Sequence, residues 1–194
     1  MKPSHALAAA LLSAAAAAQA HTEIFTAALA GANESPPQSS QGSGTATVTL
    51  DLDLATMRVQ LSFADLSGLT TASHIHCCTA VAGAGTAGVA TPTPSFPGFP
   101  LGVTSGSYDQ LFDLTSAASY NPAFVTAQGS LGNAMNALIL GLESGQAYLN
   151  IHTDFAPSGE IRGFLALAPV PEPATGVLMA LGLAGIAAVA RRHA

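Results

Sequence analysis

Tryptophan is absent from the 194-residue chain, and the whole sequence holds one lysine, Lys2. Basic side chains are also scarce in the stretch 21–168, where Arg58 and Arg162 stand against ten acidic residues and give a formal net charge of −8 with neutral histidines. An acidic domain without lysine is repelled by phosphate backbones and by anionic lipid surfaces. The composition therefore argues against a nucleic-acid partner and suits a matrix or periplasmic setting.

Cysteine is nearly absent as well, because Cys77 and Cys78 are the only two and they are neighbours. Without a third cysteine, no disulfide can join distant parts of the chain. Four states stay open: a disulfide between the neighbours, bridges between molecules, metal ligation through Cys78, or free thiols. Strand alternation points adjacent side chains apart, so a vicinal disulfide requires a local kink. Exported proteins rarely keep free thiols, and the vicinal disulfide is slightly favoured.

Motifs of the common enzyme classes are also missing. The chain has no G-x-S-x-G nucleophile elbow, no glycine-rich phosphate loop and no C-x-x-C pair. Glycosidases need two carboxylates across a cleft, and nothing in the spacing of the acidic residues selects a pair. The candidates are Glu34, Glu143, Asp154 and Glu160. We therefore expect a protein that is not an enzyme.

The first twenty residues have the layout of a secretory signal peptide. Lys2 supplies a positive start, an apolar stretch rich in alanine and leucine follows at 6–18, and the Ala-Gln-Ala sequence that ends at Ala20 has the form that signal peptidase cuts. Residues 1–20 are therefore predicted to direct export, with cleavage after Ala20, and not to belong to the fold.

The other end, 169–194, carries a second targeting pattern. Its parts, in order, are Pro171, Glu172 and Pro173, the uncharged run 174–190, and the basic pair Arg191 and Arg192. A run of seventeen residues is at the short end of what spans a membrane as a helix, and the arginines favour a cytoplasmic end. This arrangement resembles the PEP-CTERM sorting signal of Gram-negative bacteria that make extracellular polysaccharide (exopolysaccharide). The resemblance implies transient anchoring in the inner membrane and processing by an exosortase; an ordinary single-pass anchor is the alternative.

Most of the region between the two targeting segments alternates as β-strands do. In 46–54 and 57–63, apolar residues occupy every second position, which predicts a hairpin with one buried face. Further strands are predicted at 23–29, 69–78, 107–114, 148–153 and 160–167. The segment 83–106 is rich in glycine, proline, serine and threonine, and it predicts a long loop, either ordered or mobile.

One helix is predicted among the strands. Leu131, Met135, Leu138 and Leu142 recur at helical spacing, and Gly145 is a suitable stop. Residues 21–168 are therefore expected to form one mainly β domain. Its expected architecture is an antiparallel β-sandwich or partly open barrel with one short helical crossover.

Three histidines on two predicted strands carry the most distinctive chemistry. His74 and His76 share one face of a strand that Cys78 continues, and His152 lies on the strand at 148–153. If the two faces meet, three imidazoles suit Zn(II) or Cu(II), with Cys78 as a further candidate ligand. The structural alternative is that each ring donates a hydrogen bond to a backbone carbonyl or to a carboxylate. Copper or zinc is the only cofactor that the sequence suggests.

Three further polar residues accompany the histidines in the pattern. Asn150 shares the face of His152, while Glu160 and Arg162 alternate on the last predicted strand. An acid and a base two residues apart on one face are expected to form a structural ion pair. In the metal hypothesis they form a polar rim around the site, with Glu160 orienting His152.

These segments resemble the CHRD domain, the module named after chordin. The resemblance rests on Ser-His-Ile-His ending at His76, Tyr-Leu-Asn-Ile-His-Thr ending at Thr153, and Pro-Ser-Gly-Glu-Ile-Arg-Gly ending at Gly163. It covers 23–167, and the Cys77-Cys78 pair departs from the glycine-containing turn of many members. The resemblance implies an extracellular binding or scaffolding module and not an enzyme.

Together these features predict an exported, exosortase-processed, non-enzymatic protein of the cell surface or extracellular matrix. Matrix polysaccharide or a surface protein is the expected partner, besides signal peptidase and exosortase during export, and the C-terminal helix is expected to hold the chain in the membrane before processing. The alternative is an extracytoplasmic copper- or zinc-binding protein that uses the H-x-H and N-I-H strands.

Overall fold

The computed structural model describes residues 21–169, which form a single curved antiparallel sheet with two helices. The strands are β1 Thr22–Ala30, β2 Ser43–Asp51, β3 Thr56–Ala64, β4 Thr70–His76, β5 Gly106–Asp113, β6 Tyr148–Thr153, β7 Ile161–Phe164 and β8 Ala166–Leu167. Along the sheet the order is β4-β6-β7-β1-β2-β3-β5, and β8 pairs with β1.

The hairpin of β2 and β3 follows directly from alternation. Val48 lies opposite Val59 in the register, and both are fully buried, while Thr49 and Arg58 face the other side. A left-handed residue, Ala55 with φ 50°, makes the turn between the strands. The predicted hairpin is confirmed for β2 and β3, because a period of two puts their large apolar residues on one face. Leu52 and Leu54, which the pattern also placed in the strand, lie in the turn and are exposed.

The sheet is open, with β4 and β5 as its two edges. Residues 21–169 contain one sheet, which curves into a half-barrel. Of the two expected architectures, the partly open barrel therefore fits the structure, and the sandwich of two sheets does not. The mainly β, antiparallel class is confirmed.

The sequence pattern predicts one helix, whereas the structure has α1 at Pro122–Gln128 as well as α2 at Leu131–Glu143. Asn121 caps α1 through the Ala123 amide, and Gly129 ends it with φ 82°. α1 is only seven residues long, so its apolar period is too short to be recognised, and capping and packing stabilise it instead. Short 3₁₀ turns lie at Gly31–Asn33 and Ala117–Ser119.

One hydrophobic core joins the sheet to the helices. Phe25, Val48 and Val59 are fully buried on the sheet side, and Leu138 and Leu142 are fully buried on α2. Burial of each such side chain contributes roughly 1.5–3 kcal/mol. The helices are therefore held against the apolar face of the sheet.

The loop between β4 and β5 is ordered by its own aromatic residues. Phe96 and Phe99 are buried, and their ring centroids lie 5.6 and 5.8 Å from that of Tyr108 on β5. The Tyr108 hydroxyl also donates to the Pro97 carbonyl. This loop runs back along β4 and supplies two of the backbone carbonyls of the site described below.

The predicted targeting segments lie outside the described residues. This applies to the signal peptide with its cleavage point at Ala20 and to the sorting tail with Pro171, Glu172, Pro173, Arg191 and Arg192. Among residues 21–169, neither helix is long and apolar enough to cross a membrane.

Candidate metal centre

The structure brings His74, His76 and His152 together on one face of the sheet. In the register of β4 and β6, His152 lies opposite Ala72, so it stands diagonal to His74. The ring centroids of His74 and His152 are 5.1 Å apart, and that of His76 is 5.8 and 6.0 Å from them. One nitrogen from each ring lies within 4.8 Å of the other two. The register of β4 and β6 therefore brings the two histidine-bearing faces together, as predicted.

The other nitrogen of each ring is held by a backbone carbonyl. His74 Nε2 pairs with Pro94 O at 2.6 Å, His76 Nδ1 with Ala87 O at 2.9 Å, and His152 Nδ1 with Pro157 O at 2.9 Å. A carbonyl oxygen only accepts, so the proton of each neutral ring sits on the nitrogen that faces it. The remaining nitrogens therefore present lone pairs.

These lone-pair nitrogens are buried and have no hydrogen-bond partner. They are His74 Nδ1, His76 Nε2 and His152 Nε2. Burial lowers the pKa of all three rings, and that of His76 falls to about 4. The rings are therefore neutral at neutral pH, which is the state that binds a metal ion.

The donor set fits a divalent ion that accepts nitrogen ligands. Zinc binds imidazole nitrogens at about 2.0–2.1 Å, so a tetrahedral arrangement requires the nitrogens to approach each other by at most about 1.4 Å from their present spacing. A carbonyl behind each ring is the usual means by which a protein orients a ligating histidine.

Cys78 does not belong to this cluster. β4 ends at His76, and the two sulfurs of Cys77 and Cys78 are joined in a disulfide across a cis peptide bond. A disulfide sulfur carries no thiolate to offer a metal. The hypothesis that Cys78 is a ligand is wrong, because the strand alternation that placed it beside the histidines stops before Cys77.

Glu160 does not orient His152, contrary to expectation. Its carboxylate accepts hydrogen bonds from the hydroxyls of Ser40 and Thr153 and from the amides of Ser67 and Gly68. His152 is oriented by the Pro157 carbonyl instead. Glu160 is fully buried and ties the loop before β4 to the end of β6.

Arg162 does not pair with Glu160 either, because its charged partner is Glu34. The Nε atom of Arg162 lies 3.8 Å from Glu34 Oε2 and donates to the Asn33 carbonyl at 2.5 Å. Asn150, opposite both His74 and Arg162 in the register, donates to Glu34 Oε1 at 2.7 Å. Burial raises the pKa of Glu34 to about 7, although Arg162 and Asn150 oppose the shift.

An aromatic stack connects this polar group to the histidines. The Tyr148 ring lies flat on the His76 ring with centroids 4.7 Å apart, and the Arg162 guanidinium lies 4.8 Å from the Tyr148 centroid. Alternation already places Tyr148 on the face of His152. Nothing in the sequence indicates that Glu34 pairs with Arg162 or that the carbonyls of Ala87 and Pro94 orient the histidines. These contacts depend on how the loops fold back onto the sheet.

Comparison with known proteins agrees with the sequence resemblance. A profile of the CHRD domain matches residues 25–165, and a profile of the PEP-CTERM protein-sorting motif matches residues 169–192. No curated protein and no solved structure matched the chain. The sorting motif implies processing by an exosortase and marks an exported protein that is sorted to the cell envelope or surface. Since the domain match spans nearly all of the described residues and includes all three histidines, the chain belongs to the CHRD domain family.

Proposed function

We propose that this protein is an exported, surface-sorted metal-binding module that holds one Zn(II) or Cu(II) ion through His74, His76 and His152. The observation that carries the proposal is the convergence of three buried, unpartnered imidazole nitrogens within 4.8 Å. Each belongs to a ring whose other nitrogen is fixed by a carbonyl, so all three lone pairs are directed by the fold.

The carbonyl bonds that the structural alternative expects are present on all three rings, but they satisfy only one nitrogen of each ring and leave the other without a partner. A buried polar atom without a partner costs about 1–3 kcal/mol, and such atoms are rare in folded proteins. Here three occur in one place, on histidines. A bound ion satisfies all three at once, which explains why the fold tolerates them.

The ligand chemistry selects the ion. Imidazole nitrogen suits zinc and copper, and an all-nitrogen site follows the usual order in which Cu(II) binds more tightly than Zn(II). Calcium and magnesium require oxygen ligands, and the nearby carboxylates of Glu34 and Glu160 are engaged elsewhere. We therefore expect copper to compete successfully with zinc.

Binding without catalysis remains the proposed activity. Among the described residues, the carboxylate of Glu34 pairs with Arg162 and Asn150, and that of Glu160 accepts from Thr153, so both have structural partners that support a binding role. Exposure of the module at the cell surface or in the matrix would make it a metal-holding or metal-dependent scaffolding component, with polysaccharide or a surface protein as its neighbour.

The test is metal content of the exported protein, purified without a polyhistidine tag, followed by zinc and copper titration. We expect one ion per chain, and no stoichiometric ion in His74→Ala or His152→Ala. His21→Gln is the matched control, since the His21 side chain is exposed and, within residues 21–169, its ring pairs with Asp53 and lies outside the cluster. Absence of stoichiometric metal in a folded wild-type protein, after supply of either ion, would overturn the proposal.

A further inference from the structure

A disulfide directly follows a ligand of the candidate metal centre. Cys77 and Cys78 are joined immediately after His76, the last residue of β4. Cys77 is 4% exposed, whereas Cys78 is exposed to solvent. Cys78 is therefore the member of the pair that is open to solvent.

A surface cavity gives access to this disulfide. It has a volume of about 370 Å³ and is bordered by both cysteines, by Val89 of the loop after β4 and by Phe124 and Ala127 of α1. The walls combine apolar side chains with the amides of Asn121 and Gln128. The cavity is large enough for the cysteine side chain and adjoining backbone of a partner.

The two sulfurs are seated on α2 where the helix has no side chain. A Cβ atom placed on Gly141 would overlap both sulfurs, and the Ala137 carbonyl lies 3.7 Å from Cys77 Sγ and 3.3 Å from Cys78 Sγ. The space accommodates a bonded sulfur pair. Two separate thiols must stand at van der Waals distance instead of about 2.05 Å, so reduction displaces the cysteines relative to α2.

Displacement of Cys77 reaches the metal centre through two carbonyls of the adjoining loop. The amide of Cys77 donates to the Gly88 carbonyl at 3.0 Å, and the carbonyl of the preceding residue, Ala87, accepts from His76 Nδ1 at 2.9 Å. His76 also forms an antiparallel bridge with Val89. The position of Cys77 therefore helps to fix the orientation and tautomer of the His76 ring.

We propose that Cys77–Cys78 is a thiol-exchange site whose oxidation state sets the metal affinity of the three-histidine centre. The proposal rests on the proposed function above. In the oxidised state the disulfide holds the 87–89 loop against β4, and the Ala87 carbonyl keeps the lone pair of His76 Nε2 directed at the ion. In the reduced state this restraint is released.

The reaction partner is a dithiol, either a small molecule or an extracytoplasmic oxidoreductase. One of its thiolates attacks Cys78 Sγ, the bond to Cys77 Sγ breaks, and Cys77 leaves as a thiolate that takes up a proton. The second thiol of the reductant, as its thiolate, then attacks its own sulfur of the mixed disulfide. This step releases Cys78 as a thiolate that is protonated and leaves the reductant oxidised by two electrons.

We expect reduction to weaken metal binding about tenfold, the size of effect typical for loss of the group that orients a metal-binding histidine. The experiment compares zinc dissociation constants of the oxidised and the reduced wild-type protein by competition with a chromophoric chelator. Reduction uses a phosphine, which is removed without air before titration, and two thiols per chain are verified by thiol titration. Cys77→Ser/Cys78→Ser serves as a second, permanently open form.

Each outcome has one meaning. The proposal is supported if the oxidised protein binds zinc and if the reduced wild type and Cys77→Ser/Cys78→Ser both bind it about tenfold more weakly. Equal or tighter binding after reduction, or failure of the phosphine to yield thiols in the folded protein, overturns it and leaves the metal-binding function intact. Failure of the oxidised protein to bind zinc or copper overturns both the thiol-exchange proposal and the metal-binding function. His152→Ala is the control that identifies the histidine site as the one titrated, because this variant must lose binding in either redox state.

Discussion

Tyr148 stacks on His76 with the two ring planes only 5° from parallel and the centroids 4.7 Å apart. The Ala87 amide also donates to the Tyr148 hydroxyl at 3.3 Å. The carbonyl of the same residue, Ala87, fixes the tautomer of His76. The tyrosine therefore supports His76 twice, through its ring and through the loop that orients it.

Replacement of Tyr148 separates these two effects. Tyr148→Phe keeps the ring and is expected to change metal affinity less than threefold, whereas Tyr148→Leu removes the stack and should weaken zinc binding about tenfold. Chelator competition measures both. Equal affinities in the two variants and the wild type would show that His76 is positioned by its carbonyl alone.

Metal binding should stabilise the fold measurably. At a free zinc concentration 100 times the dissociation constant, the free energy of unfolding rises by about 2.7 kcal/mol, which corresponds to an increase in Tm of roughly 5–10 °C for a domain of this size. Thermal unfolding followed by circular dichroism checks this. His74→Ala should show no shift with zinc, and His21→Gln should behave as the wild type.

The buried carboxyl of Glu34 should make stability depend on pH. Its pKa is raised to about 7 in the folded protein by burial, against an ordinary value of 4.5. Between these values the folded chain holds a proton that the unfolded chain has released, so this group lowers the free energy of unfolding as pH rises from 4.5 to 7. Over that window the loss is bounded by roughly 3–4 kcal/mol, and solvent screening of the partly solvated carboxyl makes it smaller.

Glu34→Gln removes this titration. In urea denaturation without metal, the free energy of unfolding of the variant minus that of the wild type should increase as pH rises from 5 to 8. The buried histidines, whose pKa values are lowered by burial, have the opposite slope below pH 6.5 but are present in both proteins. A pH-independent difference between the two proteins would mean that Glu34 is ionised throughout this range.

Gly141 should not tolerate a side chain. Gly141→Ala places a methyl group on the two sulfurs of the disulfide and is expected to destabilise the protein by about 1–3 kcal/mol, as overpacking does. Gly132→Ala on the same helix meets no atom within 4 Å, and it should be neutral or stabilising by up to about 1 kcal/mol. Similar urea midpoints for both variants would contradict the placement of the disulfide against α2.

Glu160 should matter for stability and not for metal binding. Glu160→Gln replaces a buried carboxylate that accepts four hydrogen bonds, and it should lower the free energy of unfolding by about 2–3 kcal/mol. Zinc affinity of the folded variant should stay within twofold of the wild type. A tenfold loss of affinity would restore the role in orienting His152 that the sequence suggested.

Local patterns were sufficient for the strands and for the longer helix. The alternation of Val48 and Val59 and the helical spacing of Leu138 and Leu142 depend on neighbours within a few residues, and both are found where the pattern predicts them. The same alternation grouped His74 with His76 and placed His152 beside Asn150. It failed at Cys78, because a strand's end is set by its partner and its loop.

The sequence by itself determined the strand periodicity, the faces on which the histidines lie, and the sorting motif at 169–192. Tertiary structure alone decided that the two histidine faces adjoin, that loop carbonyls hold three of the ring nitrogens, and that Glu34 rather than Glu160 accompanies Arg162. The physical reason is range. Periodicity is a property of adjacent residues, whereas strand register and the carbonyl that reaches a given ring depend on how the chain pairs and how each loop closes over the sheet.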